Sequence, residues 1–301
     1  RLNRGSVRPR ELLGVLRTVL FSPEDLALVR EEPAGRRRLL DDLAVALRPA
    51  LVGVRAEHDK ILAQRAGLLR SARAARTPTA SMLTTLEVWD AQLAAAASRL
   101  IAARIDVVER LRPWVADAYG AVSADTSPAF IAYRSSLALH EGAPEPDPST
   151  GGDRPEVEAG LADAGATAAR LEAAMGALRT REIDRGANLV GAHRDDLSLF
   201  LGPLPARGFA SHGEQWSLAL ALRLASYEML RHDVDAYGGD GEPVLLLDDV
   251  FSSLDDARRR ALARLVAGAR QVLVTAASEQ DVPTELAGAR WRVEGSELSR
   301  G

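Results

Sequence analysis

The stretch Val244-Leu245-Leu246-Leu247-Asp248-Asp249 decides the fold. Four apolar residues closed by two acids describe a strand buried on both faces, and such strands belong to parallel sheets. Ligands of open α/β sheets bind at the carboxyl ends of the strands, so both carboxylates stand where a ligand arrives. One acid there can hold Mg²⁺, which takes hard oxygen ligands and keeps several waters. The next can orient or deprotonate an attacking water. The same pair can also do no more than cap the following loop, and spacing alone leaves both readings open.

Downstream, Phe251-Ser252-Ser253-Leu254-Asp255 leads into a helix predicted over Asp255–Ala267. Gln271–Thr275 reads as a second buried strand, and Trp291–Val293 as an edge strand. Upstream, Ser211-His212-Gly213-Glu214-Gln215 opens a helix predicted over Gly213–Arg231. A serine and a glycine at a helix start expose backbone N–H groups to an anion, and the helix dipole favours negative charge there. That pattern is weak in isolation, and His212 reads as a surface residue. Leu197–Leu201 and Leu16–Phe21 are further strands. The latter breaks at Ser22-Pro23-Glu24-Asp25, where an N-cap residue, a first-turn proline and two acids start a helix.

Between these parts the period changes. Leu43, Leu47, Leu51, Val54, His58 and Ile61 step by three or four residues, one helical stripe that Arg65 interrupts and Leu68 resumes. After a break at Arg76-Thr77-Pro78-Thr79 the stripe returns from Met82 to Val107, with the hairpin ending near Trp114–Tyr119. Two such helices predict an antiparallel hairpin with coiled-coil packing. His58 has no His, Asp or Glu at metal-ligand spacing and reads as a packed helix residue. A strand at Ala129–Tyr133, a loop over Glu141–Pro155 and a helix over Glu156–Arg181 complete the pass. The expected fold class is α/β: a mostly parallel sheet with flanking helices and an inserted antiparallel helical arm.

Composition removes several classes. The 301 residues are 47% apolar and 27% charged, which excludes a disordered or collagen-like chain. No apolar run approaches the roughly 18 residues that cross a bilayer, so no membrane role is expected. With no cysteine there is no disulfide framework, thiolate zinc site or cysteine nucleophile, which fits a reducing cytoplasm. A net charge of −4 exerts no global pull on nucleic acid, so DNA contact requires a local patch. Lys60 is the only lysine, and positive charge is otherwise arginine.

The ordered set of a Ser-x-Gly-Glu-Gln helix start, an apolar strand ending in two acids, and a Ser-Ser-Leu-Asp turn resembles the C-terminal half of an ABC-type ATPase head of the SMC class. The three elements stand where that class carries its signature motif, Walker B strand and D-loop. Among such heads the chain is similar to the RecF family of bacterial recombination-repair proteins. Val19–Leu26 resembles its Q-loop stretch, Arg36-Arg37-Arg38 with Leu40 and Asp41 its arginine run, and Gly191-Ala192-His193-Arg194-Asp195-Asp196 its Gly-Pro-His-Arg-Asp-Asp stretch, with Ala192 where proline is usual.

The resemblance implies ATP and Mg²⁺ as cofactors. It implies Asp248 as metal ligand and Asp249 as the residue that positions water, where ABC relatives usually carry glutamate. Ser211, Gly213, Glu214 and Gln215 would face a nucleotide held by a second copy, with Asp255, Thr275 and Glu24 around it. It further implies an ATP-driven homodimer with slow hydrolysis, binding DNA at gaps or single/double-strand junctions alongside RecR-type and RecO-type proteins. DNA candidates are Arg36, Arg37, Arg38, Arg73 and Arg76; Arg258–Arg260 read as a solvated helix face. The implied division is a head remnant at 1–42, an arm at 43–182 and a C-terminal head at 183–301. The family's Gly-x-x-x-x-Gly-Lys-Ser/Thr loop is absent, and Lys60 lies on the arm. A chain without it is expected to bind ATP poorly by itself, the loop belonging to about a hundred preceding residues. Two other readings stand beside this one. One is a non-catalytic scaffold with a degenerate head that docks repair proteins; the other is a metal nuclease using Asp195, Asp196, Asp248 and Asp249.

Overall fold

The computed structural model describes residues 5–6, 14–123, 127–147, 155–233, 241–286, 288–295 and 297–300. β1 (Thr18–Phe21) runs into a 3-10 turn at Pro23–Leu26, where the Asp25 carboxylate accepts from the Ser22 N–H at 3.1 Å. α1 (Ala27–Arg30) and α2 (Ala34–Leu47) follow. The stripe read as one helix from Leu43 to Ile61 is two, because Pro49 has no amide hydrogen to continue the ladder; α3 (Leu51–Ala74) starts beyond it. After the tip turn, Thr79 caps α4 (Ala80–Val122), which runs back past Pro113 and beyond the expected end of the hairpin.

β2 (Ala129–Arg134) and α5 (Ser136–His140) come next. Of the expected loop, 148–154 lie outside the described residues. The helix expected over Glu156–Arg181 is split into α6 (Pro155–Ala162) and α7 (Ala164–Arg185). Asp163 accepts from the Gly165 and Ala166 N–H groups and so starts a new helix. The remainder is β3 (Asp196–Leu201), β4 (Leu204–Pro205), α8 (Ala206–Phe209), α9 (His212–Arg231), β5 (Val244–Asp248), α10 (Asp256–Val266), β6 (Val272–Thr275), β7 (Trp291–Glu294) and β8 (Glu297–Arg300).

The parallel sheet has the order β1-β5-β6, with Phe21 opposite Leu247 and Asp248 opposite Thr275. It is smaller than the strand count of the sequence suggests. β2 and β3 pair antiparallel, with β4 beyond, in a second sheet, and β7 pairs with β8 apart from both. Trp291 and Val293 stand 57% and 71% exposed, so the strand expected at the sheet's edge is a surface hairpin instead.

One face of the parallel sheet is sealed. Val19, Phe21, Leu245 and Leu247 are buried, and the Phe21 ring meets Trp216 of α9 edge-on at 5.0 Å. The other face carries Leu20, Leu246 and Leu273, which are neighbours in register. Leu20 and Leu273 are 45% and 52% exposed, although parallel strands are ordinarily covered on both sides.

The arm is a three-helix body rather than a two-helix coiled coil, since α7 packs against both α3 and α4. Arg65, which breaks the apolar stripe, explains why. Its guanidinium is fully buried and donates to Asp90 of α4, Glu182 of α7 and the Asn188 side chain. Asp90 also takes a bond from Arg179, so two arginines face two carboxylates inside the arm. A burial of this kind is held by completeness of pairing, and removing one member leaves charge stranded.

Candidate functional site

The carboxyl rim of β5 and β6 collects the first group of expected site residues. Asp248 ends β5 and is exposed, and its Oδ1 accepts from the Thr275 hydroxyl at the end of β6. Asp249 follows in the left-handed region at φ 49°, an uncommon conformation for a residue with a side chain. Its N–H donates to both the Thr275 carbonyl (3.2 Å) and the Thr275 hydroxyl (3.1 Å), which pins the bend. Its Oδ1 is buried with no hydrogen-bond partner. Buried oxygens are nearly always paired, so this one marks a place where a further group belongs.

Below the rim, Phe251 and Leu254 anchor the next turn in the core, and Ser252 Oγ donates to the Asp249 carbonyl. Asp255 caps α10 through the Arg258 N–H at 2.9 Å and pairs with the Arg258 guanidinium at 3.1 Å. That guanidinium lies against Gly213: a Cβ there would come within 3.2 Å of Nη2 and 3.3 Å of Nη1. The turn after β5 and the start of α9 are therefore in contact through one arginine, and glycine is what allows it. Arg258 and Arg259 are not a solvated face, as Arg259 Nε bonds the carbonyls of Phe251 and Leu254.

The start of α9 is exposed at Ser211 and closed by a capping box. Ser211 Oγ accepts from the Glu214 N–H at 3.3 Å, and Glu214 Oε2 accepts from the Ser211 N–H at 2.6 Å. Glu214 is thus engaged in holding the turn, while the Ser211 hydroxyl keeps its proton to donate. Arg30, which sequence reasoning passed over, spans this turn by bonding Gln215 Oε1 and His212 Nδ1. Glu24 is exposed on the turn after β1; hydrogen bonds from Ser22 and its own backbone hold its carboxyl below the ordinary value.

Arg36 corrects an expectation. It is 4% exposed, bidentate to Asp196 at 2.8 and 2.9 Å, and bonded to the carbonyls of Leu28 and Glu31, so it has no guanidinium edge for a phosphate. Arg37 is half-buried and donates to the Asp195 carbonyl, whereas Arg38, Arg73 and Arg76 are exposed. The stretch around residues 191–196 works as a latch. Asp195 is fully buried and accepts from the Tyr133 hydroxyl, the Ser136 N–H and the Ser136 hydroxyl, each at 2.7 Å. Burial raises its pKa despite those donors, and raises the Tyr133 hydroxyl as well. Arg104, paired with Asp41, bonds the Ala192 carbonyl. With Asp195 buried under Tyr133 and Asp196 clamped by Arg36, neither can join Asp248 and Asp249, and the nuclease reading falls. Among the described residues no cluster of three or more His, Asp or Glu could hold a metal, and no helix is long and apolar enough to cross a membrane.

The single lysine-free rim and the absent Gly-x-x-x-x-Gly-Lys loop limit what the chain can hold by itself. Asp248 and Thr275 offer the hard oxygens that suit Mg²⁺. Nothing in the sequence forms the nest of N–H groups and lysine that cradles a triphosphate.

The fold and rim together define an ABC-type ATPase head with an inserted helical arm. No family model matches the chain. Its relatives among known proteins include DNA replication and repair proteins RecF. That of Beutenbergia cavernae is 54% identical over all of this chain and 76% of its own length. That of Frankia alni is 53% identical over all of this chain and 74% of its own, and that of Renibacterium salmoninarum 48% over 97% and 74%. Two solved structures of the recombination mediator protein RecF in the RecFOR pathway, one with ATPrS and one with ATP, superpose with TM-scores of 0.76 and 0.74. They are 24% and 25% identical, over 98% and 96% of this chain and 70% and 69% of theirs. The chain belongs to the RecF family of DNA replication and repair proteins.

Proposed function

We propose that this chain supplies the metal-side acid, the D-loop and the signature surface of a composite ATP site, closed when two heads meet. Closure would govern its hold on DNA at gaps or single/double-strand junctions, in the cytoplasm and alongside RecR-type and RecO-type proteins. In this reading Asp248 binds Mg²⁺ and Asp249 positions water, with Thr275 and Asp255 fixing the rim and Glu24 beside it. Ser211 and the Gly213 N–H contact the phosphate carried by the second copy, while Gln215 and Glu214 hold the turn. The head is 1–42 together with 183–301, and the arm is 43–182. Mg²⁺ supplies charge neutralisation at the phosphates when bound. This chain's own residues hold the acid rim and present the signature turn.

The observation that carries the reading is the rim itself: two acids at the carboxyl end of a parallel sheet, Asp248 exposed and Asp249 half-buried with an orphaned oxygen. The phosphate loop would lie in the quarter of the relatives' length that this chain does not match. The open face at Leu20, Leu246 and Leu273 supports that, because a parallel sheet needs a second cover. An aspartate at position 249 reaches less far than the usual glutamate, which favours slow hydrolysis and a switch over a motor. The test joins this chain to the unmatched segment of the Beutenbergia cavernae protein and follows mass by light scattering. Doubling of mass with ATP and Mg²⁺ supports the reading, and an unchanged mass with nucleotide contradicts it.

A further inference from the structure

At the far end of the arm, α3 and α7 finish side by side. Gly186 closes α7 at φ 67°, and the space its side chain would fill is taken by Arg70 and Arg73: a Cβ there would lie 3.3 Å from Arg73 Cδ and 3.4 Å from Arg70 Cγ. Arg73 Nη1 bonds the Arg185 carbonyl at 3.3 Å. Arg194 donates to the Asn188 carbonyl through Nε and Nη2, and with Arg70 it lines a cleft of about 360 Å³ beside Gly186. Arg76 stands in the adjoining turn at φ 57°. Arg70, Arg73, Arg76, Arg185 and Arg194 are all exposed.

None of these five has a carboxylate partner among the described residues. Arg48, Arg110, Arg134, Arg170 and Arg207, by contrast, each sit on one. Where Arg73 and Arg194 are bonded, the acceptor is a backbone carbonyl, which aims the guanidinium and leaves its charge unspent. Asp59 lines the same cleft but is turned to His58; of the acids close by in sequence, Glu182 pairs with Arg65, Asp195 with Tyr133 and Ser136, and Asp196 with Arg36, while Asp184 is exposed. In a chain of net charge −4 this is a concentrated positive surface.

We infer that this arm-tip cleft is a contact surface for the phosphate backbone of duplex DNA. The inference deepens the DNA-binding part of the proposed function and rests on it. Arg70 and Arg73 lie about 4.5 Å apart along α3 at the helical rise of about 1.5 Å per residue, with Arg76 just beyond its end, and a duplex presents roughly three charges over that length. Arginine suits such a surface because its planar fork takes phosphate oxygens in pairs. Part of the charge also complements the negative C-terminal ends of α3 and α7, so stability must be read separately from binding.

The experiment uses this 301-residue chain and a dye-labelled duplex of mixed sequence, followed by fluorescence anisotropy across a salt series. It compares R70Q/R73Q/R76Q with R99Q/R264Q/R300Q, the same loss of charge at exposed arginines elsewhere. The arm-tip variant is expected to bind about tenfold or more weakly and to lower the slope of log affinity against log salt by about 2 to 3. The control should bind like the parent, and circular-dichroism melts should show both variants folded. Equal losses in both variants, or none in the first, would overturn the arm-tip surface while leaving DNA binding by the chain intact. A parent chain that does not bind the duplex at low salt would remove the DNA reading for this chain altogether. If a labelled polyglutamate peptide showed the same loss on R70Q/R73Q/R76Q and the duplex did not, the surface would belong to an acidic protein segment instead.

Discussion

The arm and the sheet rim are built from the same charged side chains, and they leave them in opposite states. Inside the arm, Arg65, Asp90 and Glu182 are buried and paired with one another, and half-buried Arg179 adds a second cation on Asp90 while its own Nε stays unbonded. At the rim, Asp248 is exposed and Asp249 is bent into an unfavourable conformation with an oxygen left over. Charge that is buried and fully paired holds helices together. Charge that is open, strained or short of a partner is what remains for a ligand, as strain and unmet polar atoms collect at functional sites.

The largest effect should follow from breaking the arm network. Arg65→Ala leaves Asp90 and Glu182 facing each other without their shared cation, and urea denaturation should show a loss of about 3–5 kcal/mol. A loss below about 1 kcal/mol would mean water enters the arm and the cluster is not truly buried. Next comes the latch. Asp195→Asn replaces a carboxylate that accepts three bonds with an amide that cannot accept them all, and thermal melts should report about 1–3 kcal/mol.

His193 sharpens the comparison through pH. Burial first, and then the charges of His58, Arg194 and Arg37, lower its imidazole from 6.5 to about 3, with a bond to the Asn188 carbonyl opposing them. The folded chain therefore binds fewer protons there than the unfolded one. Stability from this site is complete above about pH 6.5 and is lost as pH falls toward 3. Melting temperatures taken between about pH 6.5 and 4.5 should fall less steeply for His193→Gln than for the parent. The smallest effect should be at the rim, where Asp249→Gly relieves the positive φ. Its stability should be unchanged or raised by up to about 1 kcal/mol. A clear loss on melting would make Asp249 structural and erase the distinction between the two regions.

Much of this was legible in the residues. The Val244–Asp249 stretch placed the acids at the sheet's carboxyl end, and Ser211 with Glu214 announced the capped start of α9. The three-helix arm was not legible, because periodicity reports which face of a helix is apolar and not how many helices cover it. Arg65 was visible as an interruption, but its partners Asp90, Glu182 and Asn188 lie far away along the chain. The break at Pro49 was readable from proline's missing donor, and the stripe on either side masked it. Arg36 looked like a phosphate ligand because charge is visible in a sequence and burial is not. Arg30 and Arg258 reach the start of α9 only through the fold, although a glycine at position 213 was a sign that something packs closely there.

ATP turnover tests the central claim most directly, in this chain joined to the unmatched segment of its Beutenbergia cavernae relative. Asp249→Ala is expected to cut the rate about a hundredfold or more while leaving nucleotide-dependent dimerisation and the melting temperature in place. Hydrolysis at the parent rate would contradict the assignment of the rim as the catalytic edge.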